Sequence, residues 1–120
     1  MHFGVGPHFV RTINKHLKEL RAKGFAVACP IWVDLASARL SVEKRCAEIK
    51  DGRPDEVVYL EPISPYHLDA RTEGKLNRLV RKYGINAVSI SVPPEAHLAY
   101  ALWALKHGLH VFLDKPVTPR

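Results

Sequence analysis

Gly4-Val5-Gly6-Pro7-His8 places two glycines one residue apart ahead of a proline. Glycines permit a tight turn and close backbone approach. Pro7 suits the first position of a helix, whose free N–H groups can receive a phosphate. Gly4, Gly6, Pro7 and His8 are therefore candidate phosphate-binding residues, and an ordinary glycine turn is the alternative. The third position of the dinucleotide fingerprint, where glycine or alanine packs helix against strand, is Phe9, so the motif is incomplete. Asp34 ends an apolar run and is placed to accept hydrogen bonds from a ribose, or else to cap the helix that follows. It lies further from Gly6 than the usual ~20 residues. As a ribose ligand it disfavours a 2'-phosphate and hence favours NAD over NADP, whereas Arg39 could accept that phosphate or simply face solvent. Lys115, between Asp114 and Pro116, carries an ammonium at a strand end, where it can donate to a ligand oxygen or stand as an exposed turn lysine.

These residues need elements to position them. Val10, Ile13, Leu17 and Leu20 recur at helical spacing over residues 9–23, and Gly24 ends that helix. A strand follows within residues 25–33, interrupted by Pro30, and then a helix over 35–50. Residues 56–60 form a third strand, 68–83 a more polar helix, and 87–92 a fourth strand stopped by Pro93-Pro94. The next helix shows Leu98, Leu102 and Leu105 at helical spacing and closes at Gly108, before a last strand at 110–113. Strand and helix in alternation predict a doubly wound parallel α/β sheet, Rossmann-like, of order 3-2-1-4-5. Ligands collect at the carboxyl ends of such strands, where Ser91, Val92, Pro93 and the Asp114-Lys115-Pro116 turn share one crevice with His97 close behind. Only three residues precede Gly4, so the first strand is truncated, and we expect coding sequence upstream.

Residues 85–118 resemble the cofactor domain of the glucose-fructose oxidoreductase / inositol dehydrogenase (Gfo/Idh/MocA) family. The likeness rests on the strand ending in small residues and proline, on His97, on Gly108-Leu109-His110-Val111, and on Asp114-Lys115-Pro116 where that family has Glu-Lys-Pro. It extends less closely to residues 4–20. The resemblance implies an NAD(P)-binding domain of an oxidoreductase acting on a sugar, polyol or related hydroxy compound. It implies that Asp34 meets the ribose, that His97 contacts cofactor or packs, and that Lys115 hydrogen-bonds the substrate oxygen beside the nicotinamide. It also implies a substrate domain after Lys115-Pro116, so residues 1–120 read as a cofactor-binding half whose substrate enters only with a second domain. A non-catalytic nucleotide-binding module is the alternative, favoured by Phe9 and the short first strand.

Composition narrows the rest. The net charge of +6 invites a nucleic-acid reading, but the Lys and Arg residues are scattered among Glu19, Glu43, Glu48 and Glu73 with no basic aromatic strand. No apolar run approaches the ~18 residues of a membrane span, and there is no signal-peptide pattern, so a soluble cytoplasmic protein is expected. Cys29 and Cys46 read as structural. His2, His16, His67, His107 and His110 have no metal-ligand spacing, and no metal is proposed. Ser89 or Ser91 with His97 does not make a hydrolase. Oligomeric state is open.

Overall fold

The computed structural model describes residues 1–26, 28–49, 53–61 and 67–113. Five parallel strands form one sheet in the order β3-β2-β1-β4-β5, as the alternation predicts: β1 (His2–Phe3), β2 (Ile31–Leu35), β3 (Glu56–Leu60), β4 (Ala87–Ile90) and β5 (His110–Leu113). Helices α1 (Pro7–Ala22), α2 (Arg39–Ala47), α3 (Ala70–Tyr83) and α4 (Pro94–Lys106) complete the order. One core cluster joins the sheet to α3 and α4; the other joins it to α1 and α2. This is the doubly wound α/β fold.

β1 contributes only two residues, yet it is the centre of the sheet. His2 pairs with Trp32 and Ser89, and Phe3 with Val33 and Ile90. Backbone bonds extend the ladder at both ends: Ser89 N–H donates to Met1 O, Ser91 N–H to Phe3 O, and Gly4 N–H to Val33 O. Phe3 is buried against Tyr100 and Trp103 of α4, with ring centroids 4.8 and 6.0 Å away. A short strand thus holds its place by backbone pairing to both neighbours and by burial of Phe3 against α4. Pro30 does not distort β2, because the strand starts immediately after it and its carbonyl accepts from the Asp55 and Glu56 N–H groups.

Two sequence expectations are corrected. The helix expected over 35–50 is divided: Leu35 still pairs with Leu60 in the sheet, a 3-10 turn spans Ala36–Ala38, and α2 begins at Arg39. The helix expected from 68 starts at Ala70, because the Asp69 carboxylate accepts from Thr72 N–H at 2.8 Å and caps it. The leucine spacing that marks α4 as a helix does not mark its buried face, for Leu98, Leu102 and Leu105 are 65%, 56% and 61% exposed. That face is Ala96, Tyr100, Ala101, Trp103 and Ala104. Alanines bring the helix backbone close to the sheet and leave room for the two aromatic rings to reach Phe3, which bury more area than leucines would.

Candidate cofactor site

At the carboxyl edge of the sheet, where β1 and β4 lie side by side and the strand order reverses, a cleft of about 960 Å³ opens. That is the size of a cofactor pocket, on the order of 300–1,000 Å³, at the position where doubly wound sheets take their ligands. Gly4, Val5, Gly6 and Pro7 line it from the turn after β1, Asp34 to Ser37 from the end of β2, and Leu60 and Glu61 from β3. Ser91, Val92 and Pro93 line it after β4, with Glu95, Ala96 and Tyr100 from α4 and Arg45 from α2. The structure therefore brings together Gly4, Gly6, Pro7, Asp34, Ser91, Val92 and Pro93 of the residues nominated from sequence.

The two glycines serve different ends. Gly4 has φ +91°, and a Cβ there would overlap the Ser91 carbonyl, so the close approach of β1 to β4 excludes any side chain. Gly6 has ordinary extended backbone, φ −82°, and a Cβ on it would meet nothing within 4 Å. Its missing side chain leaves room for a ligand rather than for the protein. α1 starts directly behind it, with Pro7 in its first turn, no side-chain cap and no acidic residue there. The N–H groups of that turn are open to an anion.

Asp34 does not cap a helix. Its Oδ2 accepts from Val5 N–H at 2.8 Å and its Oδ1 from Leu35 N–H at 2.7 Å, tying the end of β2 to the glycine turn. A carboxylate retains acceptor capacity beyond two such bonds, which leaves it able to meet a ribose. Phe9, the departure from the fingerprint, is accommodated by aromatic packing. Its ring stacks on His2 at 3.6 Å and meets Trp32 edge-on at 5.1 Å. His2 Nε2 lies 2.7 Å from Gly4 O and Nδ1 2.6 Å from Ser89 Oγ, so a neutral ring protonated on Nε2 satisfies both.

Two nominated histidines lie off the cleft. His8 is exposed in the first turn of α1, and His97 is 2% exposed in α4 with neither ring nitrogen hydrogen-bonded. Asp114, Lys115 and Pro116 lie outside the described residues. Arg39 is also turned away. It sits 4.2 Å over the Tyr59 ring and 3.8 Å from Glu43. Sequence reasoning missed Arg45 and Tyr100. Tyr100 is buried at the cleft wall, where burial pushes its phenol pKa up and the nearby Asp34 charge adds to the effect. Its helical phase with Ala96 was the available signal. Among the described residues no cluster of His, Cys, Asp or Glu could hold a metal, and no helix is long and apolar enough to cross a membrane.

Fold and cleft together define a dinucleotide-binding Rossmann domain. The model of the Gfo/Idh/MocA oxidoreductase family, NAD-binding Rossmann fold, matches residues 33–120, and the chain belongs to that family. It is 49% identical over 39 residues to Oxidoreductase P35 of Formosa agariphila, a stretch that covers 32% of this chain and 12% of that protein. The chain thus corresponds to a small part of that relative's length. No solved structure matches the chain.

Proposed function

We propose that this chain is the cofactor-binding half of an NAD-dependent oxidoreductase acting on a sugar, polyol or related hydroxy compound. The observation that carries it is the uncapped start of α1, set behind Gly6 at the cleft where β1 and β4 meet. The amides there receive the pyrophosphate, and Gly6 keeps the approach free of a side chain. Asp34 accepts the hydroxyls of the adenosine ribose, and its negative charge beside them favours NAD over NADP. The nicotinamide supplies hydride chemistry, and Lys115 hydrogen-bonds the substrate oxygen on which charge develops. We place the substrate pocket in a second domain following Lys115-Pro116, with residues 1–120 forming the cofactor domain.

The test is a titration of the purified chain with NADH and NADPH, following nicotinamide fluorescence with thermal melting in parallel. Saturable binding of NADH, tighter than NADPH, with a raised melting temperature is expected; ligand at 100 times Kd adds about 2.7 kcal/mol. A folded chain that binds neither coenzyme overturns the reading.

A further inference from the structure

Two successive peptides of the glycine turn are held by three side chains, His2 from the adjoining strand and Asp34 and Arg45 from distant parts of the chain. In the Gly4–Val5 peptide the carbonyl faces His2 Nε2 at 2.7 Å and the N–H donates to Asp34 Oδ2 at 2.8 Å. In the Val5–Gly6 peptide the carbonyl accepts from Arg45 Nη1 at 2.7 Å. Of these four backbone groups, only the Gly6 N–H has no hydrogen-bond partner among the described residues. In a planar trans peptide the carbonyl and the N–H point in opposite directions. Fixing the Val5 carbonyl therefore fixes the Gly6 N–H at the other end of the same plane.

Arg45 is an unusual residue to find in that role. It is half-buried in α2, has no carboxylate within ion-pair distance among the described residues, and donates to a neutral carbonyl instead. A guanidinium so placed ordinarily pairs with an acid. Among the described cleft residues it is the cation, against the carboxylates of Asp34, Glu61 and Glu95. An anionic ligand entering past three carboxylates needs such a charge at the point where it is bound.

We propose that Arg45 is a positioning residue for the phosphate site: it holds the Val5–Gly6 peptide so that the Gly6 N–H meets the dinucleotide's pyrophosphate, and its charge offsets the acidic walls. The assignment rests on the reading of the cleft as a dinucleotide site. It makes α2, and not only the glycine turn and α1, part of the phosphate-binding apparatus.

The experiment compares wild type, Arg45→Met and Arg45→Lys, each titrated with NADH and with adenosine, which carries no phosphate. Arg45→Met is expected to weaken NADH by about tenfold, as losing a charge-assisted contact would, with adenosine affinity changed by less than about twofold. Arg45→Lys, which keeps charge and donor, recovers most of the loss. Raised salt narrows the gap between wild type and Arg45→Met, because the charge is screened. Unchanged NADH affinity in Arg45→Met, or equal losses for NADH and adenosine, overturns the assignment while leaving the dinucleotide site standing. A wild-type chain that binds no NADH removes both. Should Arg45→Met fail to fold, Arg45→Gln, a donor without charge, carries the same comparison.

Discussion

Helices α1 and α3 each follow a strand of the parallel sheet, and they begin differently. At α3 the Asp69 side chain accepts from Thr72 N–H, and Glu73 stands in the first turn. At α1 there is neither a side-chain cap nor an acid, only Gly6 and Pro7. A helix whose end only has to be stable satisfies its own N–H groups; one that leaves them open beside a cleft keeps them for a ligand. The contrast separates stability from binding, and substitutions can test whether the two are indeed separable.

The largest effect is expected from giving α1 the device of α3. Gly6→Asp supplies a capping carboxylate where a Cβ meets no other atom, so the melting temperature is expected to hold or rise. NADH affinity should fall by more than ~10-fold, since like charges brought together cost over ~1.4 kcal/mol. Retained affinity, measured by NADH fluorescence, would break the comparison. Gly4→Ala is the converse case. At φ +91°, with its Cβ 2.8 Å from the Ser91 carbonyl carbon, it should cost roughly 2–4 kcal/mol in urea unfolding. Asp69→Ala removes the cap of α3 and should cost about 1 kcal/mol with NADH affinity unchanged.

The smallest effect concerns the amine that starts the central strand. Burial lowers the pKa of the Met1 amine below its usual 8.0, and the amine donates to Ala87 O at 3.3 Å. For a base whose pKa is lowered on folding, the unfolded chain binds the proton more tightly. This group therefore destabilises the fold below its folded pKa, and the penalty disappears as pH rises through 8.0. Urea midpoints taken across that window should rise, and acetylating the amine should flatten the rise.

How much of this was legible varied by element. β3 at Glu56–Leu60 and the strand order were readable because apolar runs alternate with helical periodicity. The start of α3 was misplaced by two residues because Asp69 was not recognised as its cap. The buried face of α4 was not legible for another reason: leucine spacing marks an apolar stripe, but the small side chains of Ala101 and Ala104 are the buried ones against the sheet. His97 entered the candidate site by its place in a helix at the crevice, and its actual orientation depends on that same packing.

Local sequence determined the parts that depend on neighbours along the chain: the glycine turn, Pro7 at the start of α1, the alternation of strand and helix, and an acid at the end of β2. Tertiary structure decided what those parts touch. Arg45 reaches the carbonyl of Val5 across 40 residues, Asp34 its N–H across 29, and Phe9 finds room by stacking on His2. None of these contacts has a sequence period. The first two arise because parallel strands joined by crossover helices bring distant segments to one edge of the sheet, and there geometry selects which side chain holds the turn.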